Sequence, residues 1–278
     1  PSSSMSRSTS ISANSWTRFG GPVPRADLTL AADPLVTVRA VTEAVRRLLG
    51  ANAAAQVQIA ARRETLGERK RALESKRETA AKARWNQAPS TLARVTHEVY
   101  EAVKDHDWIL TVRNHRSWQE GFWPIDGAGL YLGGDGGGGV GYGPAAAAGA
   151  ALALKDTGKL PVALIGDGDF LMAPGAIWSA AAHGAPLLVV VLNNRTWGND
   201  ELHQIEVAEQ RGRPVENAHI GQRMSEPDIS VATVAAGMGA WTRGPVTRPE
   251  DLPAVLTEAV AVAASGRVAV VEVITQLQ

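Results

Sequence analysis

The chain has 278 residues, 45% of them hydrophobic, which is enough for one full core and part of a second domain. Its 28 basic and 28 acidic residues cancel, so no whole-protein field holds it to nucleic acid or to an anionic membrane. No apolar run reaches the roughly 18 residues of a membrane-spanning helix, and the absence of cysteine excludes disulfides, thiolate metal sites and a cysteine nucleophile.

Residues 1–25 are rich in Ser and lack the apolar centre of a signal peptide; Pro1 to Ser4 read as an expression scar before Met5, and the cytoplasm is the expected compartment. Residues 26–50 begin with an extended stretch, Asp27-Leu28-Thr29-Leu30. After Asp33-Pro34 they continue as a helix on which Val38, Val41, Val45 and Leu48 recur, a pattern suited to the last strand and helix of a domain. Residues 51–89 are dense in Ala, Arg, Glu and Lys, with only Val57, Ile59, Leu66 and Leu73 to bury. They predict a solvated helical connector interrupted near Gly67; because Glu64, Glu68, Glu74 and Glu78 interleave with the bases, ion pairs on an exposed face are preferred to a basic arm for an acidic partner.

Residues 90–278 change character. Ser90 is placed to cap a helix through Lys104, on which Leu92, Val95, Val99 and Val103 share a face. A strand over 108–112, a polar loop, a glycine-rich run over 133–143 and an Ala-rich helix to about Lys155 follow. Beyond them the pattern gives a strand over 162–165, a helix over 174–182 and a strand over 187–192. Helices over 229–236 and 249–264 and a strand over 268–274 complete it. Apolar strands alternating with helices predict an α/β fold, a parallel sheet flanked by helices on both faces, preceded by the helical connector.

Two of these strands end directly in polar residues: Gly166-Asp167-Gly168 after the first, Asn193-Asn194 after the second. A right-handed crossover between them makes their carboxyl ends neighbours, at the sheet edge where open α/β folds bind ligands. Asp167 and Asn194 both offer oxygen, which suits Mg²⁺ and its octahedron of oxygens at ~2.0–2.1 Å. Gly166 and Gly168 allow a sharp turn and close approach of backbone amides to a diphosphate at a helix start.

The pairing of these motifs, 24 residues apart between Gly168 and Asn193, resembles the cofactor signature of thiamine-diphosphate enzymes. Residues 90–278 resemble the C-terminal pyrophosphate-binding domain of the superfamily that holds acetolactate synthase, benzoylformate decarboxylase and 2-hydroxyacyl-CoA lyase, and 26–50 the end of its middle domain. The resemblance implies that Asp167, the Asn194 side chain and the Thr196 carbonyl bind Mg²⁺, while the amides of Gly168 and Asp169 face the diphosphate. Relatives often carry Ser at the position of Asp169, so its carboxylate must point away or be offset. In the run Gly137-Gly138-Gly139-Val140-Gly141-Tyr142, the resemblance has Val140 wedge the cofactor into a bent shape and the Gly138 carbonyl accept from its amino group.

The chemistry this implies is the cofactor's addition to a carbonyl and its uptake of the electron pair of a broken carbon–carbon bond. Substrates of that class are 2-oxo acids, 2-hydroxyacyl-CoAs and aldehydes. The family's pyrimidine-binding domain, with its activating Glu, has no counterpart in the sequence pattern. A split enzyme is therefore expected, with a second subunit carrying that domain in a hetero-oligomer of dimeric or tetrameric core; a fragment of a longer protein is the rival. An acetolactate-type carboligase subunit and a non-catalytic assembly subunit are the alternative functions. No Walker-type loop supports a nucleotide enzyme.

His115, in the polar loop after the strand over 108–112, and Asp200, just after the metal loop, are the candidate proton handlers. The resemblance aligns Asp200 with the catalytic Glu of pyruvate decarboxylases, against a local role as cap of a helix beginning near Glu201. Trp118 and Trp197 are candidates for an acyl pocket, Arg113 and Arg116 for a carboxylate or CoA phosphate, and His183 and His203 are ordinary helix residues.

Overall fold

The computed structural model describes residues 27, 28, 30, 32–113, 119, 121–134 and 139–276. The described residues fall into two compact units, divided between Leu73 and Glu74.

In the first unit, α1 (Pro34–Gly50) starts where Asp33 accepts the N–H of Val36 at 2.9 Å and Pro34 takes the first turn. Its apolar stripe, Val38, Val41, Val45 and Leu48, is exposed. Of the expected strand before it, Thr29 lies outside the described residues, and Asp27, Leu28 and Leu30 are not in a strand. Asn52 caps α2 (Ala53–Lys82) by accepting from Ala55 at 3.0 Å. The expected break near Gly67 does not occur: α2 runs on for 30 residues, because the Ala, Arg, Glu and Leu around that glycine outweigh one unfavourable position.

The second unit holds α3 (Leu92–Val103), β1 (Trp108–Val112), α4 (Tyr142–Leu154), β2 (Leu160–Gly166), α5 (Asp167–Met172), α6 (Gly175–Ala182) and β3 (Leu187–Asn193). After them come α7 (Gly198–Gln210), α8 (Val231–Gly237), β4 (Trp241–Val246), α9 (Leu252–Ala264) and β5 (Val268–Ile274). All strand pairs are parallel, in the order β1-β2-β3-β5-β4. The central strands are buried and, apart from Glu272 of β5 and Asn193 at the end of β3, apolar, because both sheet faces are covered. On one face Val95, Val99 and Val103 of α3 and Leu252 and Leu256 of α9 meet Leu110, Val162, Leu188 and Val271. On the other, Ala147 and Ala151 of α4, Phe170 of α5, Ile177 of α6 and Val231 of α8 meet Ile165, Val189 and Val270.

The cap of α3 is Thr91, which accepts from Arg94 at 3.2 Å, and not Ser90 as the sequence suggested. Ser90 is instead taken up by strand pairing, its N–H donating to Ile274 and its carbonyl accepting from Gln276. That pairing ties the end of the connector to the carboxyl edge of the sheet. Among the described residues no helix is long and apolar enough to cross a membrane.

Candidate functional site

Strand β2 delivers Gly166 opposite Leu192 of β3, so the residues after each strand meet at one edge. Asp167 opens α5 directly from β2, with a 4% exposed side chain. Its Oδ1 accepts the N–H of Gly168 at 2.9 Å, and its Oδ2 accepts the N–H of Arg195 at 2.8 Å. The second bond crosses from the end of β2 to the turn after β3. Burial pushes the Asp167 carboxyl up to about 6; the backbone amides of Gly168, Arg195 and Asp167 itself pull it down, and the buried Glu272 nearby adds to the rise. Among the described residues no basic side chain pairs with it. A buried carboxylate in that state has a deficit of positive charge.

The turn after β3 is tightly specified. Arg195 sits at φ 60, a conformation that costs a side-chain-bearing residue energy and needs local support. That support comes from the Oδ1 of Asn193, which also accepts the Arg195 N–H, at 3.0 Å, and from the Asn194 Oδ1, which accepts from Thr196 at 3.1 Å. Thr196 is buried, its hydroxyl 2.9 Å from Glu201 and 3.2 Å from the Gln222 carbonyl. Asp167, Asn194 and Thr196 thus lie at one edge, after the neighbouring ends of β2 and β3. Their donor set, a carboxylate, an amide oxygen and a backbone carbonyl, suits a hard divalent cation completed by phosphate oxygens. Among the described residues no three His, Asp or Glu side chains cluster as a metal site on their own.

Gly168 is buried, and a Cβ on it would lie 2.6 Å from the ring of Trp197, so the indole covers this glycine closely. The direction of the Asp169 carboxylate is resolved: its Oδ1 accepts the N–H of Gly141 at 2.6 Å and of Gly143 at 3.4 Å. Asp169 therefore turns to the start of α4, where Gly141, at φ 90, closes the glycine-rich run. A Cβ on Gly143 would overlap the Asp169 carboxylate at 2.0 Å, so the glycine makes room for the acid. Val140, next to this clamp, is 50% exposed. Gly138 lies outside the described residues, as do His115, Arg116 and Trp118.

Asp200 is exposed in the first turn of α7 and lines a groove of about 520 Å³ with His203, Arg211, Arg213 and Gln222. It does not cap that helix, which begins at Gly198 with Trp197 as its preceding residue. A larger cavity, about 1450 Å³, lies between the end of α2 and α3, with Trp85, His97 and Phe122 in its wall. It contains none of the predicted site residues. Two contributions here were missed in the sequence. Glu201, expected only as a helix start following the metal loop, receives Thr196 and pairs with Arg223 at 3.3 Å, contacts that no spacing announces. Glu272 accepts from Asn193 at 2.7 Å and is buried in β5. Its signal was present: it is the one charged residue in Val268-Ala269-Val270-Val271-Glu272-Val273-Ile274.

Comparison with known proteins agrees with this geometry. The family described as thiamine pyrophosphate enzyme, C-terminal TPP binding domain, matches residues 112–273. No curated protein matches the chain. Among solved structures, a Mycobacterium smegmatis protein described as a thiamin diphosphate-dependent enzyme matches at 27% identity and a TM-score of 0.54, over 69% of this chain and 33% of its own. The thiamine diphosphate-dependent 4-hydroxybenzoylformate decarboxylase of Rhodococcus jostii RHA1 matches at 27% identity and a TM-score of 0.56, over 69% and 34%. Benzoylformate decarboxylase of Polynucleobacter necessarius shares the fold at 21% identity and a TM-score of 0.56, over 68% and 34%. The chain spans about a third of the length of these structures.

Proposed function

The chain belongs to the thiamine pyrophosphate enzymes, carrying their C-terminal TPP binding domain, and from that premise we propose that it holds the diphosphate of thiamine diphosphate through Mg²⁺ as a subunit of a carbon–carbon lyase. The observation that carries this reading is Asp167: a carboxylate buried at the meeting of two strand ends, fixed by two backbone amides and, among the described residues, paired with no basic side chain. A divalent cation supplies that charge, and the diphosphate oxygens complete its coordination.

In this proposal Asp167, Asn194 and the Thr196 carbonyl bind Mg²⁺, and the amides of Gly168 and Asp169 at the start of α5 meet the diphosphate. Asp169 holds the N–H groups of Gly141 and Gly143 and so presents Val140. When bound, the cofactor supplies a carbon nucleophile and an electron sink for cleavage beside a carbonyl. Asp200, on the groove along α7, and His115 hold and move the protons of the substrate oxygen. The likeness to the Rhodococcus decarboxylase favours decarboxylation of a 2-oxo acid over carboligation and over 2-hydroxyacyl-CoA cleavage. A second subunit supplies the pyrimidine-binding half, in a hetero-oligomer with a dimeric or tetrameric core. Supporting this, Val140 beside the Asp169 clamp and Val207 in the groove with Asp200 are exposed, as side chains covered by a partner would be. The cysteine-free sequence suits a cytoplasmic reaction.

Calorimetric titration of the chain with thiamine diphosphate and Mg²⁺, with and without a pyrimidine-domain chain, tests the reading together with turnover of 2-oxo acids, 2-hydroxyacyl-CoAs and aldehydes. Mg²⁺-dependent cofactor binding by the chain is expected, with turnover only when the partner is present. Absence of cofactor binding in every mixture sinks the cofactor assignment, and robust turnover by the chain alone sinks the two-subunit enzyme.

A further inference from the structure

Glu272 is a charged side chain, 1% exposed, in a strand otherwise made of Val, Ala and Ile. Among the described residues no basic group pairs with it. Such a group is costly to bury and stays only where its surroundings use both oxygens. They do. Its Oε1 accepts from the Nδ2 of Asn193 at 2.7 Å, and its Oε2 accepts the N–H of Ala232, in the first turn of α8, at 2.9 Å.

We propose that Glu272 is a positioning residue of the cation loop, acting through Asn193; the inference rests on the cation site assigned above. An amide has a donor end and an acceptor end, whereas an ionised carboxylate can only accept. Facing Glu272, the Asn193 side chain must turn its nitrogen to the carboxylate and its oxygen to the Arg195 N–H, at 3.0 Å. That same N–H donates to Asp167 at 2.8 Å. Arg195 is thereby held at φ 60, and it is the residue between Asn194 and Thr196. Glu272 touches no proposed ligand of the cation, yet it sets the turn that presents two of them and joins that turn to α8.

The experiment measures Mn²⁺ binding by electron paramagnetic resonance, in the presence of thiamine diphosphate, to the full chain and three variants. In parallel, hydrogen exchange at the Arg195 amide is followed in the cation-free state. Glu272→Gln keeps the shape but offers one acceptor to two donors, so Asn193 turns over or Ala232 loses its partner. The expected result is a loss of about 10- to 100-fold in Mn²⁺ affinity, with faster exchange at Arg195. Asn193→Asp alone sets two carboxylates face to face and also weakens binding. Combining Glu272→Gln with Asn193→Asp restores every donor–acceptor match: the new amide accepts from Ala232 and donates to the new carboxylate, which in turn accepts from Arg195.

Recovery of most of the affinity and of slow Arg195 exchange in the double variant supports the inference. Unchanged Mn²⁺ affinity in Glu272→Gln overturns it. So does a double variant that unfolds at the wild-type midpoint without recovering affinity, or one that does not fold, since the exchange of partners is then not what the site requires. Failure of the wild-type chain to bind Mn²⁺ both alone and with a pyrimidine-domain chain is a separate outcome, which overturns the cation assignment and this inference with it.

Discussion

Helix α2 and the paired ends of β2 and β3 are stabilised in opposite ways. The helix buries none of its 30 residues and leaves Val57, Leu66 and Leu73 exposed. It stands on the propensities of Ala, Arg, Glu and Lys and on pairs such as Glu78 with Lys82, worth a few tenths of a kcal/mol each. The strands are buried throughout on both faces. Only a support of the second kind can hold a non-glycine turn at φ 60 and two buried carboxylates in place, since each is unfavourable in isolation. Function is accordingly expected to be sensitive at the strand ends and insensitive along the helix.

The largest break in that comparison should come from Asp167→Ala. It removes the one charged ligand and frees the Arg195 and Gly168 amides, so cation-dependent cofactor binding should fall on the order of 100-fold or more in calorimetry. A full-affinity variant would place the site elsewhere. The pH dependence sharpens the same point. The folded-state pKa of Asp167 is raised from 3.8 to about 6, so its contribution to the stability of the cation-free protein is fully present below the unfolded value and lost as pH rises through about 6. The loss amounts to roughly 3 kcal/mol. Denaturant unfolding between pH 4 and 7.5 should show this decline in the wild type and not in Asp167→Asn. Cation binding runs the other way: protons compete, so each pH unit below about 6 should weaken Mg²⁺ about tenfold.

The same contrast separates what the sequence disclosed from what it hid. Near-continuous apolar runs revealed β2, β3 and β5, because strands covered on both faces bury side chains in both directions. They also put Asp167 and Asn194 at neighbouring strand ends. Strand β4 escaped notice because Arg243, Gly244 and Pro245 break its pattern; it is an edge strand, where proline is tolerated. Helix α5 was hidden because Asp167-Gly168-Asp169-Phe170-Leu171-Met172 is too short for a periodicity. The direction of Asp169 depends on amides 26 and 28 residues away, and the role of Glu272 on partners 40 and 79 residues away. Local pattern carries no information about such contacts. The break expected at Gly67 failed for the reverse reason, a single local signal outweighed by its neighbours.

Gly168→Ala probes the strand-end side at intermediate strength. The added methyl would lie 2.6–2.8 Å from three ring carbons of Trp197, so the indole must move. Overpacking of this kind costs about 1–3 kcal/mol, measured as a lower unfolding midpoint together with a shifted tryptophan emission. An unchanged emission would mean that the indole does not rest on Gly168.

Gly67→Ala is the smallest change and the most discriminating control. The only atom near a Cβ there is Nη1 of Arg71, at 3.4 Å, an ordinary contact with the end of a flexible side chain. Replacing a helical glycine by alanine should stabilise α2 by about 1 kcal/mol. Because the helix is held by propensity rather than burial, that gain should appear locally, as roughly fivefold slower amide exchange in the turns around residue 67. Cation affinity should not move. If Gly67→Ala changed the cation site as strongly as Gly168→Ala, the helix would be coupled to the sheet edge, and stabilisation by propensity alone would no longer describe α2.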